Sequence, residues 1–127
     1  GGHANALTIH GFQPFANSLA HVRWFQAHGG HLSDLLPDDP WPMQDTFVSL
    51  DLDVIDQAFA PGVSATNPCG WSPGLAEAWV AAAGRNPRVR CFDIMELSPP
   101  NDPAGRTARL AAPLLLTFLR AFAERPT

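Results

Sequence analysis

The sequence predicts an α/β fold in which a parallel sheet is flanked by helices in a three-layer αβα arrangement, and three observations carry the prediction. Strand-like stretches alternate with helix-like ones along the chain, which is the pattern of βαβ units. Arg88 to Met95 holds a nearly continuous apolar run (Val89, Cys91, Phe92, Ile94), as in a strand covered on both faces. Acidic residues gather where strands end, with Asp51 and Asp53 at or near the end of one strand and Glu96 at the end of another. In parallel sheets, ligands sit beyond those carboxyl ends.

Ala4 to His10 reads as a short strand with Leu7 and Ile9 on one face. Asn17-Ser18 offers an N-cap for a helix through about His28, with Leu19, Val22, Trp24 and Phe25 on its apolar stripe and Gly29-Gly30 closing it. His31 to Leu36 fits either a short strand or a turn of helix, and the prolines from Pro37 to Pro42 require a loop. Thr46 to Leu52 is the central strand. Ser72-Pro73 then starts a helix that Gly84 is expected to end. After the strand Arg88–Met95, a last helix spans about Gly105 to Ala123. Pro113 should either kink that helix or mark its true start.

The chain has 127 residues, 46% hydrophobic and 16% charged, the balance of one globular domain over residues 1–127. A formal charge of −4, with no Lys or Arg run, argues against a nucleic-acid or anionic-membrane surface. Cys69 and Cys91 lack a metal-knuckle spacing and are too few for a disulfide framework, so a reduced, cytoplasmic compartment is expected. No apolar run approaches the roughly 18 residues of a membrane span. The chain does not begin with Met, so Gly1-Gly2 reads as an interior start or a processing scar.

The chemistry centres on Ser49-Leu50-Asp51-Leu52-Asp53. On a strand, Ser49, Asp51 and Asp53 would share one face. Two crowded carboxylates repel each other unless a cation lies between them or one is protonated, and hard divalent ions favour such oxygens. The competing reading is a solvated acidic strand end. Asp93 reads as a supporting or core-edge hydrogen bonder, and Asp56 as a cap for the loop after the strand. His28 and His31 are separated by Gly29-Gly30, which spoils a fixed ligand geometry; His3, His10 and His21 read as loop, strand-end and helix-surface residues. Trp24 and Trp79 are expected in the core, and Trp41 and Trp71 as loop anchors.

Nine positions between Ser49 and Gly70 (Ser49, Leu50, Asp51, Leu52, Asp53, Gln57, Pro61, Gly62 and Gly70) resemble a signature of the ureohydrolase family, which includes arginase, agmatinase and formimidoylglutamase. Downstream, Asp93-Ile94-Met95-Glu96 with Pro99 resembles the family's Asp-Ile-x-Glu-x-x-Pro segment. Asp102-Pro103-Ala104-Gly105-Arg106-Thr107-Ala108 resembles the segment that opens its last helix. Ala60-Pro61-Gly62-Val63-Ser64-Ala65 and Phe15-Ala16-Asn17-Ser18 lean toward the formimidoylglutamase-like branch.

The resemblance implies an arginase-like fold and a binuclear manganese centre that activates water for attack on a guanidino or formimino carbon. Asp51 would then bridge both ions and Asp53 would bind one. Glu96 would be the catalytic-site carboxylate holding the small cationic substrate, of the arginine, agmatine or formiminoglutamate type. A planar guanidinium or amidinium offers paired donors that one carboxylate accepts bidentately. The alternative for Glu96 is an ion pair with Arg106 or Arg109.

The family's Gly-Gly-Asp-His and Asp-Ala-His-x-Asp segments, which carry four further metal ligands, have no counterpart here. The sequence therefore looks like the C-terminal portion of a single ureohydrolase-like domain. That leaves three readings: a hydrolase working with a missing N-terminal half, a noncatalytic binding module, or an inactive remnant; a homo-oligomer is a further expected partner arrangement, since the family is commonly multimeric.

Overall fold

The computed structural model describes residues 6–33 and 36–126. The chain divides into two compact units, residues 1–35 and 36–127. Each contains a parallel strand–helix–strand unit, which gives the α/β fold its parallel sheets and flanking helices.

In the first unit β1 (Leu7–His10) pairs in parallel with β2 (Gly30–Ser33), Leu7 opposite Gly30 and His10 opposite Ser33, and α1 (Leu19–Ala27) lies between them in sequence. Ser18 caps α1 by accepting the His21 N–H at 3.2 Å. The stretch after Gly29 resolves as strand. At Gly30 the Phe25 ring occupies the space a Cβ would need, so a side chain there would displace that ring. Trp24, expected in the core, is 63% exposed. Four residues on, at the helix end, the His28 ring stacks on it at 4.2 Å, so the two rings cover each other instead of the sheet. The strand start at Ala4-Asn5 and the loop reading of His3 lie outside the described residues.

In the second unit β3 (Thr46–Asp51) pairs in parallel with β4 (Val89–Met95), Ser49 opposite Asp93 and Asp51 opposite Met95. Between them runs α2 (Pro73–Arg85), with Ser72 accepting the Leu75 N–H at 3.2 Å and Pro73 in the first turn, where its missing N–H costs nothing. α3 (Arg106–Ala123) follows and remains one helix through Pro113. Leu50 and Ile94, opposite each other in register, pack with Val80 of α2 and Leu114 and Phe118 of α3. One face of β3–β4 is therefore roofed by both helices. The apolar run of β4 was expected to be covered on both sides, but Cys91 and Met95 on the other face are exposed. That face carries Ser49, Asp51 and Asp93, because a strand's side chains alternate.

Gly84 does not end α2. A Cβ there would stand 2.6 Å from Ala121 Cβ and 2.7 Å from the Phe118 carbonyl oxygen, so this glycine permits the close approach of α2 and α3. The end of α2 is fastened instead by Arg125, which donates to the carbonyls of Gly84 (2.6 Å), Ala83 (3.2 Å) and Val89 (3.1 Å). Hydrogen bonds from a charged donor contribute more than neutral ones. Arg125→Ala should therefore lower stability by about 1–3 kcal/mol, read as a lower denaturant midpoint at unchanged slope.

Candidate functional site

Asp51 is the last residue of β3, and the chain turns there into a short 3-10 segment, Leu52–Val54. This corrects the expectation that Asp53 continues the strand alternation. Leu52 goes into the core, fully buried. Asp51 Oδ1 accepts the Asp53 N–H at 3.1 Å, the Asx turn that keeps the two acids together.

The two carboxyl groups are close enough to hydrogen-bond, and the pKa of Asp53 is pushed up to about 6. Partial burial is the largest cause, followed by the charge of Asp51, the hydrogen bond to it and the charge of Glu96. Glu96, one residue past β4, is thus near enough for its charge to be felt at Asp53. The structure gathers all three acids at the carboxyl ends of the paired strands.

This raised pKa fixes a pH dependence in the absence of metal. The folded state keeps a proton that the unfolded chain sheds from about pH 4, so raising the pH from about 4 to 6 favours unfolding. Asp53→Asn should remove that decline. It should make the chain more stable at pH 7 by roughly 1 kcal/mol once solvent screening is allowed for, with no gain at pH 3.5. Thermal melts at the two pH values check it.

Glu96 lies in the left-handed region at φ 66°, a conformation that strains a residue with a side chain. Its Oε2 accepts a hydrogen bond from Ser64 Oγ at 2.7 Å. The alternative ion pair is not formed among the described residues, and Arg106 donates instead to the Ala58 carbonyl at 2.6 Å.

The loop between the acids and α2 is fixed by main-chain bonds. Asp56 Oδ1 accepts the Ala58 N–H at 2.8 Å, the loop-capping role read from the sequence. Trp71 donates its N–H to the Val54 carbonyl at 2.7 Å and accepts the Asp56 N–H at 3.0 Å, while its ring lies parallel to Trp79 at 5.7 Å. Gly62 is a junction: its N–H goes to Thr107 Oγ1 at 2.7 Å and its carbonyl accepts the Ser98 N–H at 2.8 Å. Thr107 is fully buried, and the Asp102 carboxylate accepts the N–H groups of Thr107 (2.8 Å) and Ala108 (3.0 Å), capping α3. These bonds hold the Asp102 carboxyl below its usual range despite some desolvation.

Asp93 Oδ1 is buried and has no hydrogen-bond partner among the described residues. His28 and His31 sit in the first unit, His28 Nδ1 paired with the Trp24 carbonyl at 2.7 Å. Among the described residues no group of three or more His, Cys, Asp or Glu side chains is arranged to hold a metal. The Asx turn holds Asp51 and Asp53 side by side, so their hard carboxylate oxygens suit a divalent cation as part of a larger ligand set. Sequence reasoning missed Ser64 and Thr107 as supports. Their partners lie 32 and 45 residues away, beyond the reach of any local pattern.

The sequence profile of the arginase family matches residues 36–120. The chain belongs to the arginase family. It is 44% identical over 105 residues to a formimidoylglutamase of Aromatoleum aromaticum, an alignment covering 83% of this chain and 30% of that protein. It is 32% identical over 129 residues to a formimidoylglutamase of Halobacterium salinarum, covering 91% and 42%. Among solved structures it is similar to Trypanosoma cruzi formiminoglutamase crystallised with Mn2+, at a TM-score of 0.82 and 25% identity over 94% of this chain and 45% of that one. The chain thus spans less than half the length of these arginase-family relatives. Among the described residues no helix is long and apolar enough to cross a membrane.

Proposed function

We propose that this chain supplies the strand-end carboxylates of a manganese-dependent arginase-family hydrolase that cleaves a C–N bond of a formimino substrate of the formiminoglutamate type. The observation that carries the reading is the convergence of Asp51, Asp53 and Glu96 at one end of β3–β4, where Asp53 is pushed to about 6. Asp51 and Asp53 would hold manganese, and the rest of the ligand set would come from outside these 127 residues. Bound manganese lowers the pKa of water, making a nucleophile available near neutrality. Glu96 receives the planar N–H face of the substrate head, which a single carboxylate matches through two parallel hydrogen bonds. Relatives named formimidoylglutamase support a formimino head over the guanidino heads of agmatine or arginine.

The competing reading is a chain that contributes a binding surface without catalysis. The test is hydrolysis of formiminoglutamate, agmatine and arginine with Mn2+ present, alongside calorimetric Mn2+ titration, both on this chain together with the polypeptide that supplies the remaining ligands. Turnover of formiminoglutamate ahead of the other two supports the hydrolase. Failure of that complete ligand set to bind Mn2+ at millimolar concentration, with no turnover of any of the three, leaves the second reading.

A further inference from the structure

We propose that Ser64 is a positioning residue that sets the orientation of the Glu96 carboxylate toward an amidinium- or guanidinium-bearing substrate; this rests on the function proposed above and deepens it. Ser64 Oγ donates to Glu96 Oε2 at 2.7 Å, between segments 32 residues apart. Both side chains are exposed, and a hydrogen bond between two free surface groups would carry little consequence. Here neither group is free.

Ser64 follows Gly62 and Val63, both buried. Gly62 is held at its N–H by the fully buried Thr107 hydroxyl and at its carbonyl by the Ser98 N–H. No side chain fits at Gly62, since a Cβ there would come within 2.7 Å of Asp102 Cγ. The Ser98 bond fixes the other side as well, because Ser98 lies two residues after Glu96. Glu96 itself is locked at φ 66°, a conformation that persists only where the surroundings impose it.

The remaining freedom is rotation of the Glu96 side chain, and the Ser64 hydroxyl removes it. One hydroxyl on Oε2 leaves Oε1 and the second acceptor site of Oε2 open, which is what a planar pair of N–H donors requires. An unanchored carboxylate would have to be ordered on binding, and that cost appears in affinity.

The experiment compares the wild-type protein with Ser64→Ala and Ser64→Thr, the latter keeping the hydroxyl. KM, kcat and Mn2+ affinity are measured on formiminoglutamate, together with three-bond NMR couplings across Glu96 χ1. For Ser64→Ala we expect a roughly tenfold rise in KM, with kcat and Mn2+ affinity within twofold of wild type. The Glu96 couplings should pass from single-rotamer to averaged values, and Ser64→Thr should restore both readouts. An unchanged KM in Ser64→Ala overturns the proposal, as does a parallel loss of Mn2+ affinity, which would indicate collapse of the loop. If the wild type, supplied with the rest of the ligand set, turns over none of the substrates, the proposed hydrolase falls. The couplings then decide Ser64 alone: rotamer averaging in Ser64→Ala upholds its hold on Glu96, and unchanged couplings refute it.

Discussion

Asp51→Ala should abolish both Mn2+ binding and hydrolysis, whereas Glu96→Ala should abolish hydrolysis and leave Mn2+ bound. The two acids stand at the same end of β3–β4 but have different work in the proposed site. Asp51 has one oxygen occupied by the Asp53 N–H and keeps acceptor capacity for a cation. Its removal deletes a ligand and also releases the turn that places Asp53. We expect Mn2+ affinity to fall by more than about 100-fold, beyond the 10–100-fold typical of losing a mere supporting group. Glu96 is tied to Ser64 and in the proposed site would receive the substrate head, so its loss should cost about 100-fold or more in kcat/KM, as for other groups that engage transition-state charge, with Mn2+ affinity within threefold. Equal metal loss in the two variants would overturn this division of roles.

Gly70→Ala should be the most damaging small substitution in the second unit. A Cβ at residue 70 would lie 2.5 Å from the Ile55 carbonyl carbon and 2.6 Å from the Val54 carbonyl oxygen. These are backbone atoms, which cannot swing aside as the end of a long side chain can. Relief would have to pull Trp71 off Val54 and Asp56, and so break the bonds of 2.7 and 3.0 Å that pin the segment just after Asp53. We expect a loss of about 2–4 kcal/mol, seen as a lower urea midpoint, with Mn2+ affinity falling alongside because the acidic turn loses its brace. Stability within 0.5 kcal/mol of wild type, the range of ordinary surface changes, would show that the loop accommodates the methyl.

Gly70 also shows how much of the site could be read from the residues. Its place in the nine-position pattern was visible in the sequence, as were Asp51, Asp53 and Glu96; the reason a glycine is needed there appears only when Val54 and Ile55 are seen against it. The caps were legible for the same reason the turns were, since Ser18, Ser72 and Asp56 act within a few residues of themselves. Local rules failed where a distant partner decided the outcome. Gly84 looked like a helix terminator and is instead the contact point for α3. Asp53 looked like the next strand position, but burial of Leu52 and the Asp51 cap drew the chain into a turn. Trp24 had helical spacing for the core and finds His28 instead.

The junction at Gly62 has a thermal consequence. A single residue, through the peptide units on either side of it, ties the opening turn of the final helix, at Thr107, to the segment bearing Ser64 and, at Ser98, to the one bearing Glu96. Warming that unravels the start of that helix would loosen the pairing of Ser64 with Glu96 before the rest of the unit melts.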